Sequence, residues 1–213
     1  MHPLILSALV VMANVLGVGM IVPQATRLLG RNGSANGVSG TWIGIGISLN
    51  SWWVAYALRS DLPGLLPVSL GAAALYLVMA VGLHRHNGTS AIRSVAAGVL
   101  LLGSAPVPFL LADGWSAAGL AIGACYCLQF VPAAAVAVRS SDVSGISPTT
   151  WVMALVEAAI WWGYGLSADD RALVVGGAGA SVCSLIILAR LLGGTRRRRW
   201  MVGRAAPVPA GTV

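Results

Sequence analysis

The sequence repeats itself within a chain that is apolar over most of its length. Residues 36–58, NGVSGTWIGIGISLNSWWVAYAL, match residues 144–166, SGISPTTWVMALVEAAIWWGYGL. Identical residues recur at a spacing of 108 in three pairs: Gly37 and Gly145, Trp53 and Trp161, and Tyr56 and Tyr164. Two matched halves in one chain predict a fold of two similar units related by an axis.

The composition predicts an integral membrane protein. Of the 213 residues, 57% are hydrophobic and 9% are charged, whereas soluble domains carry about 25% charged residues. A helix needs roughly 20 apolar residues to cross about 30 Å of hydrocarbon. Seven segments approach this length, at about residues 3–22, 41–58, 62–84, 91–112, 115–136, 149–166 and 171–192. We therefore expect an all-α membrane protein with seven transmembrane helices.

The basic residues predict the orientation of these helices. The chain has thirteen arginines and no lysine, a composition typical of a GC-rich bacterial source. With seven spans, eleven arginines lie on one side of the membrane, and Arg59 and Arg171 lie on the other. This bias predicts a plasma-membrane protein with its N-terminus outside and its C-terminus cytoplasmic. The run from Arg196 to Arg199 could contact anionic lipid. No groove-reading motif accompanies the charge, so nucleic acid is not an expected partner.

The repeat and the spans together predict the domain organisation. Residues 1–90 would form a first three-helix unit, residues 91–112 a linker helix, and residues 113–192 a second three-helix unit. A basic, disordered cytoplasmic tail would follow at residues 193–213. Because one span joins the units, they share one orientation, as parallel repeats about an axis along the membrane normal. This is a 3+1+3 arrangement.

Three polar residues inside the spans are candidates for a site. Glu157 is the only acidic residue in any long apolar segment, and a carboxylate there costs several kcal/mol unless it is neutral or faces a cavity. The alternative is a protonated glutamic acid that bonds a neighbouring backbone. Glu157 shares a helix face with Trp161, and Asn50 shares one with Trp53. Asn14, in the first span, could line a path or bond between helices.

The residues predict no enzyme, metal site or cofactor. Cys125 and Cys127 point to different sides of a helix, which disfavours a shared metal or a disulfide. Glu157 has no His, Cys, Asp or second Glu at helical spacing with which to complete an acid–base pair.

Several motifs resemble those of a known family. Val22, Pro23 and Gln24, at the end of the first predicted helix, resemble the PQ-loop motif. Two further motifs are similar to those of SWEET and SemiSWEET sugar transporters. One is the turn Ser/Asn-Gly-Val/Ile-Ser before the second helix of each repeat, and the other is the sequence Trp-x-x-Tyr-[Ala/Gly]-Leu at the end of that helix. The resemblance covers about residues 3–192. It implies a sugar uniporter in which two three-helix bundles rock around a central site.

The resemblance also implies roles for particular residues. Trp53 and Trp161 match the pocket tryptophans of the family. The third-helix asparagine of each bundle has no counterpart, and among the residues at those positions only Ser69 is polar. Three of the family's four hinge prolines correspond to Pro23, Pro132 and Pro148, and Gly40 stands in place of the fourth. Gln24 follows Pro23 and completes the PQ-loop motif.

Alternatives remain open at each level. The tryptophans of the predicted pocket could instead pack within the protein or belong to an interfacial belt. The other tryptophans are assigned to this belt or to lipid contacts: Trp42, Trp52, Trp115, Trp151, Trp162 and Trp200. The prolines at 23 and 132 could be helix stops. The expected function is facilitative transport of a small polar solute, preferably a mono- or disaccharide. The alternatives are proton-coupled export of an amino acid or other metabolite, using Glu157, and a ligand-binding membrane receptor.

Overall fold

The computed structural model describes residues 3–30, 35, 38–140, 143 and 146–204, with side chains as far as residue 193. The regular structure of these residues is helical, without strands, which confirms the all-α class. The helices are α1 (Pro3–Leu29), α2 (Gly40–Arg59), α3 (Leu66–Asn87), α4 (Thr89–Gly103), α5 (Pro106–Leu128), α6 (Val131–Arg139), α7 (Pro148–Ser167) and α8 (Arg171–Arg204), with a 3₁₀ turn at Pro63–Leu65.

Four segments of the described chain are long and apolar enough to cross a membrane: Pro3–Leu29, Pro63–Asn87, Thr89–Arg139 and Arg171–Gly193. Large apolar side chains on the outside of the protein are exposed, among them Leu100 at 67% and Leu111 at 81%. Both findings are consistent with a membrane protein, as the composition predicts.

The segment Thr89–Arg139 is too long for one crossing. Its 51 residues would extend about 76 Å as a straight helix, more than twice the roughly 30 Å of hydrocarbon. The helix breaks at Asp113 and Gly114, where the backbone is non-helical and Gly114 has φ 70°, a conformation that favours glycine. The break lies between the predicted spans at 91–112 and 115–136.

The two copies of the repeat begin and end alike. The Ser39 hydroxyl accepts a hydrogen bond from Trp42 N (3.2 Å) at the start of α2. At the start of α7, Ser147 accepts one from Thr150 N (3.4 Å). Both helices are followed by an aspartate with φ 53°, Asp61 and Asp169. These pairs are also 108 residues apart, so the repeat extends to the backbone conformation.

The helices pack in the same way in each half. α3 contacts both α1 and α2, and α8 contacts α5, α6 and α7. Between the halves, α1 packs on α7 and α5 packs on α2. Because α5 with α6 corresponds to α1, and α7 corresponds to α2, these two interfaces are equivalent. α4 packs against α2 and α3, and the Trp52 indole fixes it by donating to Gly103 O (2.7 Å).

The structure differs from the predicted disordered tail, because α8 is helical as far as Arg204. Arginine is a good helix former, and cations in the last turns interact favourably with the negative end of the helix dipole. The remainder of the predicted tail, residues 205–213, and the repeat pair Gly37 and Gly145 lie outside the described residues.

Candidate functional site

A central cavity of about 350 Å³ lies between the two halves, within the range of about 300–1,000 Å³ that is usual for small-ligand sites. It extends from mid-depth towards the end of the protein that carries Arg27 and Arg139, called here the arginine-rich end. It continues into an inner chamber of about 50 Å³, with Asn50, Val68, Tyr126 and Glu157 lining both parts. The other residues of the inner chamber are Trp53, Leu65, Ser69, Trp161, Leu173, Gly176 and Gly177.

Both halves contribute matched positions to this cavity. From the first helix of each half the pairs, 109 residues apart, are Gly17 and Tyr126, Met20 and Gln129, Ile21 and Phe130, and Gln24 and Ala133. In the inner chamber the pairs, 108 residues apart, are Trp53 and Trp161, Leu65 and Leu173, Val68 and Gly176, and Ser69 and Gly177. The cavity is therefore lined by equivalent positions of the two copies of the repeat.

Trp53 and Trp161 are 6% and 4% exposed and line the same chamber. The Trp53 ring packs edge-to-face with Tyr126 at a centroid distance of 6.2 Å. Burial at this depth contradicts the interfacial-belt interpretation for this pair. Trp162, the neighbour of Trp161 along the chain, is 41% exposed and does not line the cavity.

Glu157 is 6% exposed, and its carboxylate lies at the junction of the inner chamber and the wider cavity. Its Oε1 accepts a hydrogen bond from Trp161 Nε1 (3.1 Å). α1 approaches closely at Gly17, where an added Cβ would lie 2.5 Å from Glu157 Oε1 and 2.6 Å from Val68 Cγ2. Only glycine, which has no Cβ, can therefore occupy position 17 without a clash with the Glu157 carboxylate.

The two remaining polar residues of the inner chamber are Asn50 and Ser69. Asn50 Nδ2 donates one of its two hydrogens to Gly46 O (2.8 Å) within α2, so its amide oxygen and its second N–H remain for a solute. Ser69 is 1% exposed on α3. The chamber therefore combines two indole rings with the carboxylate of Glu157 and with two side chains, Asn50 and Ser69, that can both donate and accept hydrogen bonds.

Asn14 lies outside the cavity and bonds between helices, so its assignment as a substrate-binding residue is not supported. Its Nδ2 donates to Gly64 O (2.9 Å) and to Val10 O (2.8 Å). Its Oδ1 accepts from Val68 N (2.6 Å), one of the amides in the first turn of α3 that have no partner within their own helix. Asn14 therefore caps α3 from α1.

We expect Asn14→Ala to lower the free energy of unfolding by about 1–2 kcal/mol, because it removes this cap and leaves buried backbone groups unpaired. Thermal unfolding in detergent, followed by near-UV circular dichroism, measures the change. Ser7→Ala is the control, since exposed Ser7 bonds only Pro3 O of its own helix, and its effect should stay within about 0.5 kcal/mol. Equal melting temperatures for Asn14→Ala and Ser7→Ala would show that Asn14 does not stabilise α3 as a cap.

The prolines at 23 and 132 lie in different positions relative to their helices, one inside a helix and one at the start of a helix. α1 continues beyond Pro23 to Leu29. In the second half the helix is interrupted between Leu128 and Val131, just before Pro132, and then continues to Arg139. The missing proline N–H is consistent with this interruption. The helix-stop alternative is wrong for Pro23, whereas at Pro132 one helix ends and another begins.

The other predicted hinge residues lie at the arginine-rich end. Pro148 occupies the first position of α7, where a helix does not need the absent N–H. Gly40 occupies the first position of α2, where its Cα lies so close to Ser94 Oγ of α4 that a Cβ would clash. Gln24 lines the central cavity. Packing against α4 thus explains why glycine stands at position 40.

The opposite end of the cavity is closed by contacts between the halves. Tyr56 of α2 donates a hydrogen bond to Asp170 Oδ2 (2.7 Å), and the other oxygen of Asp170 accepts from Leu173 N (2.8 Å). The matching residue Tyr164 contacts the backbone of Gly64 with its hydroxyl. Each half therefore sends a tyrosine to the other at this end.

Most residues of the cavity wall were not predicted, among them the aromatic and amide side chains of Trp42, Tyr76, Tyr126, Gln129, Phe130 and Trp151. Trp42 and Trp151, which the sequence assigns to the interfacial belt or to lipid contacts, line the wide part of the cavity. Tyr126 corresponds to Gly17 in the first repeat, so comparison of the two repeats does not identify Tyr126 as a cavity residue. The PQ-loop match could have suggested Gln129, since Gln129 lies one turn before Ala133.

No protein-family model matches this chain, and no curated protein sequence matches it significantly. The assignment of function therefore depends on the geometry of the cavity and on the resemblance of the motifs.

Proposed function

We propose that the protein transports a small polar solute across the plasma membrane by alternating access between its two halves. One observation carries the proposal: a ligand-sized cavity is lined by matched residues of both repeats. Inverted or parallel repeats that enclose a midplane site are characteristic of secondary transporters.

The two ends of the cavity support this proposal. The cavity widens towards the arginine-rich end, whereas Tyr56 and Asp170 join the halves at the other end. Rocking of the equivalent α1–α7 and α5–α2 interfaces would open one end as it closes the other. In this cycle Pro23 and Pro132, together with Gln24, Gly40 and Pro148, form the hinge region, because a proline removes a backbone hydrogen bond and weakens the helix locally.

The proposed topology has seven spans in a 3+1+3 arrangement, with α4 and the first part of α5 as the linker. The arginine distribution orients it with the arginine-rich end in the cytoplasm. An epitope tag placed before Met1 should be accessible on intact cells, and one placed after Val213 should be protected until the cells are permeabilised. The opposite labelling would refute this topology.

The resemblance to SWEET and PQ-loop proteins implies a mono- or disaccharide as the solute. The direct test is counterflow of labelled solutes into liposomes that contain the purified protein, screened first with sugars. Saturable counterflow above empty liposomes supports transport. Solute binding without flux would instead support the membrane-receptor alternative.

One observation favours a second candidate, proton-coupled transport. Glu157 is buried at the cavity, and no described arginine lines the wall around it. The titratable groups that face it from the neighbouring helices are Tyr76 of α3 and Tyr126 of α5, which are neutral near pH 7. A carboxylate in such surroundings can exchange a proton when its hydration changes.

For proton coupling we expect Glu157→Gln, which keeps the shape of the neutral acid, to abolish accumulation driven by a pH gradient and to leave counterflow measurable. Accumulation in liposomes with and without a pH gradient measures this. If the gradient has no effect on the unmodified protein, coupling is refuted and facilitated transport remains.

A further inference from the structure

The central cavity carries a single charge-bearing side chain in an otherwise uncharged wall. Among the described residues that line it, Glu157 is the only carboxylate, and none is an arginine, lysine or histidine. The one hydrogen bond that the structure gives its carboxylate comes from the neutral indole of Trp161. A buried carboxylate without a cationic partner is unfavourable, so a ligand that supplies the positive charge would stabilise the site.

Aromatic rings line the route to this carboxylate. Trp53 contacts Tyr126 (6.2 Å), Tyr126 contacts Phe130 (5.4 Å) and Phe130 contacts Trp151 (6.1 Å), all with edge-to-face geometry. These four rings all line the cavity and form a chain from the inner chamber towards its wide end. The face of an aromatic ring carries partial negative charge and attracts cations, in particular alkylammonium groups.

We propose that the preferred solute is a small organic cation, an amine or quaternary ammonium compound that has no carboxylate of its own. This inference depends on the proposed function in that it assigns the solute to the same cavity. The ammonium group lies beside Glu157, and its methyl or methylene groups contact Trp53, Trp161 and Tyr126.

The same wall disfavours the other solute classes. A neutral sugar leaves the carboxylate of Glu157 without a counter-charge. An amino acid brings a carboxylate of its own, which finds no cation in the described wall and is repelled by Glu157. The amide oxygen of Asn50 is an acceptor, which suits the hydroxyl or N–H group of an amine.

Two molecules of equal shape separate charge from size: choline, and 3,3-dimethylbutan-1-ol, in which carbon replaces the nitrogen. Isothermal titration calorimetry on the purified full chain in detergent measures binding of each. We expect choline to bind at least tenfold more tightly than the alcohol. Glu157→Gln should remove this preference, whereas Asp169→Asn, which neutralises an exposed carboxylate outside the central cavity, should keep it.

A second variant keeps the test independent of the folding of Glu157→Gln. Trp53→Leu retains the carboxylate and removes an aromatic face, and it should weaken choline binding at least fivefold more than binding of the alcohol. Equal affinities for the two molecules in the unmodified protein, or a preference that survives Glu157→Gln, would overturn the inference.

Flux in liposomes distinguishes this inference from the proposed function. Choline binding with choline counterflow supports both. Choline binding without flux of any solute supports the inference about the ligand and refutes transport. Sugar counterflow without charge-dependent binding of choline supports transport and overturns the organic cation as the solute.

Discussion

Replacing Trp161 by alanine will lower solute flux by about thirtyfold or more. Its indole is 4% exposed in the inner chamber and donates the hydrogen bond that holds Glu157. Loss of a buried aromatic anchor typically costs at least about 2 kcal/mol of binding free energy, which corresponds to a thirtyfold change in affinity. Initial rates of counterflow, with the solute that the liposome screen identifies, measure the effect.

The neighbouring residue provides a matched control. Trp162→Ala removes the same side chain from the same helix, but at a position that is 41% exposed and outside the cavity, so flux should change less than about twofold. Trp161→Phe keeps a ring and removes the N–H donor, and it should fall between the two. Similar losses in Trp161→Ala and Trp162→Ala would mean that the inner chamber is not the solute site.

Gly17→Val should abolish measurable flux while the protein still folds. A Cβ at this position meets Glu157 Oε1 and Val68 Cγ2 at 2.5 and 2.6 Å, closer than these atoms pack. Valine adds two methyl groups, which must enter the cavity or displace Glu157. We expect flux to fall about a hundredfold and the elution volume in size-exclusion chromatography to stay unchanged.

The control lies two residues away on the same helix. An added Cβ at Gly19 meets nothing within 4 Å, so Gly19→Val introduces the same β-branched side chain without filling the cavity. Its flux should stay within about twofold of the unmodified protein. Normal flux in Gly17→Val would contradict the proposed solute site beside Glu157.

The repeat in the sequence predicted the parts of the site that occur twice. The tryptophans at 53 and 161 could be paired from the spacing of 108 residues alone, and both line the inner chamber. Glu157 could be singled out because a carboxylate is rare in an apolar segment. The break at Asp113 and Gly114 likewise lies between two predicted spans, since glycine after a polar residue interrupts an apolar run.

Features that occur once could not be predicted in this way. Tyr126 is matched by Gly17, so the repeat hides it, and its position in the wall depends on how α5 packs against α2. The sequence could not decide between two roles for Asn14, because both need a polar side chain at mid-depth and only the neighbouring helix distinguishes them. The helix at 193–204 was missed because a highly charged segment has no apolar face to mark its period.

The single charge in the central cavity has a consequence for how such a protein can be built. Glu157 corresponds to Leu49, 108 residues earlier, which is 1% exposed. A dimer of identical half-length chains would place two glutamates or two leucines there, and two adjacent carboxylates cannot both ionise readily. Joining the halves through α4 frees each copy to vary alone. The covalent link thus permits a single carboxylate at the site, whereas a symmetric dimer of identical chains would have to carry charged residues there in pairs.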